Sequence, residues 1–177
     1  MPFLIKSYTE PGYQEIPKTY LSEEEYEKAL RTFVLLCTDI VIVDKNKKTF
    51  YLAKRKHKPI NNWWFIGGRM NATETKEESA VRCFKRETDI DIKEEDLEFV
   101  ALLDHRFKDR EQVPQNIGCH TVSYVFVIPR EKIDFKKVSL ESEEYVRGAE
   151  FEEFDRQKIV DYKVYESMID VYDSIFG

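Results

Sequence analysis

The sequence predicts a mixed α/β sandwich, in which helices flank one sheet instead of alternating with strands in regular βαβ units. Two observations predict it. Apolar residues recur at helical spacing in two segments, near the middle and at the end of the chain, and β-rich segments stand on both sides of the central one. The chain has 177 residues, 42% of them hydrophobic. That is enough to bury one core, so we expect a single domain over residues 1–177.

The first third of the chain predicts an arm, a helix and a pair of strands. Residues 1–20 contain early prolines and a glycine, which predict an irregular arm that packs on the body. The segment 21–30 begins with a serine cap and three glutamates, which predict a short amphipathic helix. Residues 33–43 predict a strand, and residues 48–54 predict its hairpin partner.

The clearest predicted helix spans residues 75–88. Its apolar face consists of Ala80, Val81, Phe84 and Thr88. Thr75 and Glu78 have the spacing of a capping box, which fixes where this helix begins. The remaining predicted elements are strands at 97–107, 119–128 and 148–154 and a C-terminal helix at 155–176.

Composition excludes several classes of protein. The net charge of −6 disfavours binding to a nucleic-acid backbone. The three cysteines are far apart and form no C-x-x-C pair, so we expect neither a zinc site nor a disulfide framework, but a reducing, cytoplasmic compartment. No segment approaches 18 apolar residues, and the N-terminus lacks the layout of a signal peptide, so we expect no membrane partner.

Residues 67–90 contain a spaced motif of the form G-x5-E-x7-R-E-U-x-E-E-x-G-U, where U is bulky and apolar. The residues that match are Gly68, Glu74, Arg82, Phe84, Glu87 and Ile90. The residues that depart from it are Cys83 and Arg86, in place of glutamates, and Asp89, in place of glycine. A chance match at this many spaced positions is improbable. The Trp-Phe-Ile segment that leads into the glycines makes it still less probable.

The complete motif places three carboxylates on one edge of a helix, where they bind hard divalent cations. Here only Glu87 of the three remains. A single Mg²⁺ or Mn²⁺ would then be held by Glu87, by a backbone carbonyl near Gly67 and by substrate phosphates. Arg82 is expected to pair with Glu74 and hold the loop, and Gly68 lets that loop turn tightly.

The motif resembles the Nudix box, and its departures are similar to those of the GDP-mannose mannosyl hydrolases, a branch of the Nudix superfamily. The similarity extends over residues 21–156 and includes Asp39, Lys54-Arg55, Lys58-Pro59, Trp64 to Arg69, His105 and His120. This resemblance implies a Nudix-type α/β/α sandwich with a mixed central sheet, often as a homodimer. It also implies hydrolysis of a nucleoside-diphosphate sugar at the sugar C1 carbon, with one Mg²⁺ on the diphosphate.

The resemblance also implies roles for individual residues. It places Arg55 and Arg69 on the diphosphate, as bidentate guanidinium–phosphate contacts favour, and Asp39 at the sugar. Further substrate contacts are Lys58 and His105, and a further catalytic candidate is His120. The branch has a glutamine ligand and a histidine base on a loop whose counterpart, residues 139–147, contains neither. Glu143 or Glu144 is expected to replace them, as the base or as a metal ligand.

Two other functions stay open. One is a Nudix pyrophosphohydrolase that attacks phosphorus of a nucleoside diphosphate derivative, with Glu141, Glu143 or Glu144 completing the metal site. The other is a binding or regulatory module that holds a nucleotide sugar without turnover. Structural interpretations also stay open for the histidines, as hydrogen-bonded sheet residues, and for Asp39 and Arg55, as exposed strand residues.

Overall fold

The computed structural model describes residues 5–6, 8–17, 19–146, 148 and 150–177. The helices are α1 (Glu23–Thr32), α2 (Lys76–Thr88), α3 (Arg156–Asp161) and α4 (Ser167–Phe176). The strands are β1 (Leu35–Asp44), β2 (Thr49–Lys54), β3 (Trp63–Trp64), β4 (Ile66–Arg69), β5 (Glu98–Phe107), β6 (Cys119–Pro129) and β7 (Glu152–Phe154). None of the described helices combines the length and the apolar character needed to cross a membrane.

The sheet is mixed, with a main order of β3-β2-β1-β6-β5. The central strands β1 and β6 run parallel, while the other pairs are antiparallel. Along one edge, β1 pairs with β4 over residues 37–40 and with β2 over residues 42–44. The strands β2 and β4 therefore separate beside Val41, where β2 continues along β3 and β4 continues along β1. The candidate site lies at this divergence.

Each face of the sheet buries its own core, because side chains alternate between the two faces of a strand. On β1, Ile40 and Ile42 pack with Phe84 of α2, whereas Val41 and Val43 pack with α3 and α4. This arrangement confirms the predicted α/β/α sandwich.

The local predictions hold where local signals set the structure. The helix α2 begins with the predicted capping box of Thr75 and Glu78, and α1 has an equivalent box of Ser22 and Glu25. Residues 8–17 and 19–20 form neither helix nor strand, as expected for an arm, while its residues 1–4, 7 and 18 lie outside the described part.

Two predicted bounds are wrong. The C-terminal helix is not continuous over 155–176, because α3 ends at Asp161 and α4 begins at Ser167. Between them Lys163 adopts a left-handed φ of 50°, and buried Val164 donates its N–H to the carbonyl of Ile159. No glycine or proline marks this break, so the periodicity alone missed it. The strand predicted at 148–154 is shorter, spanning only Glu152–Phe154.

Candidate active site

The loop of residues 139–146 is bonded to the end of α2. The N–H of Glu141 donates to the carbonyl oxygen of Glu87 at 3.0 Å. The Glu141 carboxylate then caps a turn, since it accepts the N–H groups of Glu143 and Glu144, each at 3.0 Å. Glu141 therefore shapes this loop, and its carboxylate is not free to act as the metal ligand considered for a pyrophosphohydrolase.

The same loop is also bonded to the end of β2. Val146 donates its N–H to the carbonyl of Lys54, and Lys56 donates its N–H to the carbonyl of Glu144, both at 3.1 Å. Tyr145 forms an isolated β-bridge with Arg55. These bonds close the loop over the divergence of β2 and β4. Arg147, the last residue of the predicted loop, lies outside the described residues.

Five residues at this loop interact through hydrogen bonds or through charge, and we call them the acid–arginine cluster: Asp39, Arg55, Glu87, Glu144 and Tyr145. Arg55 Nη2 donates to Glu144 Oε2 at 3.0 Å, and the Tyr145 hydroxyl donates to Glu87 Oε2. The charge of Arg55 acts on Asp39, Glu87 and Tyr145 together. The fold thus brings four of the predicted site residues into one electrostatic unit.

Asp39 is a buried carboxyl, 5% exposed, on β1 opposite Gly67 of β4. Burial raises the pKa of Asp39 to about 6, although a hydrogen bond from Ser123 and the charge of Arg55 oppose the rise. A Cβ on Gly67 would lie 2.5 Å from Asp39 Oδ1. Only glycine therefore lets this carboxylate lie against β4, and the alternative of an exposed Asp39 is wrong.

Glu87 is 4% exposed, and burial raises its pKa. Both of its oxygens have partners, since Oε2 accepts from Tyr145 and Oε1 accepts from Arg86 Nη2 at 2.5 Å. A Cβ on Gly68 would lie 3.0 Å from the same Nη2. The Arg86 guanidinium therefore lies between Gly68 and Glu87, in space that the glycine leaves open.

These contacts do not fit the metal site expected from Gly67, Glu87 and Glu144. A cation on Glu87 would have to displace Arg86 or Tyr145, and Glu144 is already ion-paired. Among the described residues, no three His, Cys, Asp or Glu side chains are grouped so that they could hold a metal ion. The site in this arrangement is neutralised by guanidinium groups, not built to receive a divalent ion.

The loop ahead of α2 is held by the predicted pair of Glu74 and Arg82. Arg82 donates Nη2 to Glu74 Oε2 at 2.8 Å and to the carbonyl of Arg69 at 2.9 Å. Burial pushes the pKa of Glu74 up, but hydrogen bonds from Arg82 and Asn71 outweigh it and hold the pKa at about 2. The pair holds the loop that connects the end of β4 to the start of α2.

We expect Glu74→Gln to lower the free energy of unfolding by about 2 kcal/mol at pH 7, because it leaves Arg82 without its counter-charge. The folded pKa of about 2 lies below the ordinary glutamate value of 4.5. The stabilisation is therefore complete above pH 4.5 and is lost as the pH falls toward 2. Urea unfolding at several pH values checks this, with exposed Glu24→Gln, whose partner is Lys28, as the control. Equal loss in both variants at pH 7 would contradict it.

Arg69 and Lys58 are predicted substrate contacts that do not belong to the cluster. Arg69 is exposed, and its guanidinium lies 4.3 Å from the centre of the Tyr26 ring on α1. Lys58 lies three residues beyond Arg55, and its backbone N–H donates to Glu111 at 3.2 Å. Arg69 pairs with Cys37 of β1, two residues before Asp39.

The positions of the two histidines do not support the roles predicted for them. His105 is buried, with Nε2 3.0 Å from Ser167 Oγ and its ring stacked on Phe107, and burial lowers its pKa. His120 lies on the opposite face of the sheet from His105, the face of β6 that packs against α2, with Nε2 2.8 Å from Asp104 Oδ1. The hydrogen-bonded sheet histidine is the interpretation that fits both, and the substrate contact of His105 and the catalytic role of His120 stay predictions.

Three residues of the site region were missed by the sequence reasoning. Tyr145 gave no signal, because an aromatic residue in a polar loop belongs to no motif. Arg86 was noted only as a lost glutamate. Arg110 is buried and donates Nη2 to Glu27 of α1 at 3.0 Å, so it ties the loop after β5 to α1.

Comparison with known proteins gives a family and a fold. The family model described as NUDIX domain matches residues 36–172. No curated protein matches the chain. A MutT NUDIX hydrolase from Burkholderia pseudomallei shares the fold with a TM-score of 0.61 at 16% identity, over 81% of this chain and 98% of that one.

Two further solved structures are similar. The NUDIX domain of Shewanella oneidensis NrtR, complexed with ADP ribose, has a TM-score of 0.54 at 11% identity, over 85% of this chain and 98% of that one. A MutT/nudix family protein from Enterococcus faecalis has a TM-score of 0.49 at 21% identity, over 80% of this chain. The present chain spans 46% of the length of the Enterococcus protein.

Proposed function

Because this chain belongs to the NUDIX domain family, we propose that it is a hydrolase that cleaves a nucleoside-diphosphate sugar at the sugar C1 carbon and releases an intact nucleoside diphosphate. The acid–arginine cluster carries the proposal. Attack at carbon needs positive charge on the departing diphosphate, which guanidinium groups supply. Attack at phosphorus needs a water molecule that metal ions activate. The hydrogen bonds that Glu87 already accepts disfavour metal binding there.

The arginines are proposed to bind the diphosphate. Arg55, at the end of β2, and Arg86, on α2, present planar N–H donors that suit phosphate oxygens. Arg69, which is exposed and lies over the Tyr26 ring of α1, is proposed to make the outer contact. No step of this reaction is routed through a metal ion. Nudix hydrolases generally use divalent ions such as Mg²⁺, so turnover with and without such ions is part of the test.

The carboxylates are proposed to act on the sugar and the water. Asp39 is proposed to accept a hydrogen bond from a sugar hydroxyl. Glu144 is the proposed base, because it is bonded to Arg55 inside the cluster. A substrate phosphate that binds Arg55 releases Glu144, which then takes a proton from the attacking water. Glu143 is the weaker candidate, since it is exposed and its backbone carbonyl pairs with His57.

A screen of nucleotide sugars tests the proposal, run with Mg²⁺, with Mn²⁺ and with EDTA. We expect free sugar and nucleoside diphosphate as the products. Nucleoside monophosphate with sugar phosphate would instead show attack at phosphorus and contradict the proposed attack at carbon.

We expect Glu144→Gln to slow turnover about 100-fold or more. The matched control Glu143→Gln, on the same turn, is expected to leave turnover unchanged, and equal loss in both would remove Glu144 as the base.

A second candidate is a module that binds a nucleotide sugar without turnover. The observation that favours it is the engagement of both Glu87 oxygens. Calorimetry that detects nucleotide-sugar binding, combined with no product after prolonged incubation under every ion condition of the screen, would support this candidate. Product formation in any of them would exclude it.

We further propose a homodimer, as the resemblance implies. The apolar side chains of Phe33, Val34, Leu36 and Leu102 are exposed on the described surface, and burial against a second copy would remove them from water. Sedimentation equilibrium is expected to give twice the chain mass of 21.1 kDa, with Leu102→Glu shifting it toward the monomer. A monomeric wild-type protein would contradict this.

A further inference from the structure

The Arg86 side chain lies where the site was expected to hold a cation. The expected metal ligands were the carboxylate of Glu87 and the backbone near Gly67. The guanidinium donates to Glu87 Oε1 and lies against Gly68, where a Cβ would be 3.0 Å from Nη2. One positive group thus bridges the glycine segment and the remaining carboxylate of the box, as a bound cation would.

The carboxylates nearest to the two arginines are already paired. Arg86 is paired with Glu87 and Arg55 with Glu144, and the charge of Arg55 also acts on Asp39 and Glu87. A divalent ion on Glu87 would lie against Arg86, a like charge on the same helix. It would also have to displace a charge-assisted hydrogen bond from a buried oxygen, which is costly.

Arg86 keeps donors for a ligand. Its hydrogen bond to Glu87 uses one of the five N–H groups of a guanidinium. The side chain is 51% exposed, so it is accessible to a ligand from solvent. A diphosphate is the anion whose paired oxygens suit such a planar set of donors.

We propose that the Arg86 guanidinium takes the place of the divalent cation in this site, so that the chain holds a nucleoside diphosphate through arginines and without metal. The proposal rests on the proposed function for the nature of its ligand. The arginine that replaces a glutamate of the motif then supplies the positive charge that a bound metal ion would otherwise supply.

Manganese binding tests the metal half of the proposal without any nucleotide. Titration of the protein with Mn²⁺, followed by electron paramagnetic resonance, is expected to show no tight site in the wild type. Arg86→Glu, which returns a carboxylate to the box, is expected to create one. Lys85→Gln is the matched control, because it removes a positive charge from the same helix but pairs with Asp89 and Asp91. Tight Mn²⁺ binding by the wild type would overturn the proposal.

Calorimetry with GDP tests the anion half. We expect the wild type to bind GDP equally in EDTA and in Mg²⁺, and Arg86→Gln to weaken binding in EDTA about tenfold or more. Lys85→Gln is expected to bind like the wild type. Binding by the wild type only with Mg²⁺, or full affinity in Arg86→Gln, would overturn this proposal alone. Absence of GDP binding in both buffers would overturn it together with the proposed function, whereas metal-free binding without turnover of any nucleotide sugar would overturn only the latter.

Discussion

Arg55→Ala is expected to lower kcat/KM for the nucleotide sugar by about 100-fold to 1,000-fold, the range seen when one donor to a developing oxyanion is removed. Arg55 is partly buried and lies within the acid–arginine cluster. In this partly buried environment, the loss of a guanidinium charge changes the electrostatic free energy more than it would in water. Its removal also leaves Glu144 without a counter-charge before substrate binds.

The companion variants separate charge from geometry. Arg55→Lys keeps the positive charge but loses the planar, bidentate contact, so we expect an intermediate loss of kcat/KM. The matched control is Lys54→Ala, which removes the adjacent exposed cation of β2. It is expected to keep wild-type kinetics. Initial-rate kinetics and a thermal melt of each variant check these outcomes. Wild-type kcat/KM in a folded Arg55→Ala would remove Arg55 from the diphosphate site.

Asp39→Asn is expected to abolish turnover while making the fold more stable. The pKa of Asp39 is about 6 in the folded chain against an ordinary aspartate value of 3.8, so the folded state holds the proton more tightly than the unfolded one. The cost of the buried charge therefore grows from pH 3.8 to pH 6 and is complete above it. The neutral amide avoids that cost, and we expect a gain of about 2 kcal/mol at pH 7.5.

Urea unfolding at pH 7.5 and at pH 4.5 measures the gain, which is expected to shrink at the lower pH, and the product screen measures the turnover. Asp91→Asn is the control, because that aspartate is exposed beyond α2. A gain in stability with a loss of activity is the pattern of a charge kept for function. Full turnover in Asp39→Asn would remove Asp39 from the reaction, and a loss of stability would show that burial of the charge is not costly.

The fold was predictable from the sequence because its elements carry local signals. The capping box of Thr75 and Glu78 and the apolar face around Phe84 determine α2 without reference to the rest of the chain. The break at Lys163 was not predictable, since it depends on how buried Val164 and α4 pack on the sheet. Local sequence patterns therefore predicted the helices and strands of each layer. Tertiary packing determines where the predicted C-terminal helix is interrupted.

The candidate site was predictable only in part. Glu74, Arg82 and Glu87 belong to one spaced motif, so their proximity follows from the helix and its loop. Tyr145 donates to Glu87 from 58 residues away along the chain, and no sequence spacing encodes that contact. Arg86 is adjacent to Glu87, but the direction of its side chain toward Glu87 is not set by the motif. The faces of the strands on which the two histidines lie depend on the register of β5 and β6, which a single sequence does not reveal.

Hydrolysis in H₂¹⁸O tests the proposed attack at carbon most directly, with both products weighed by mass spectrometry. Free sugar incubated in the same water corrects for exchange at its anomeric carbon. We expect ¹⁸O in the released sugar above that correction and none in the nucleoside diphosphate. Label in a phosphate group of either product would place the attack at phosphorus and contradict the proposed reaction.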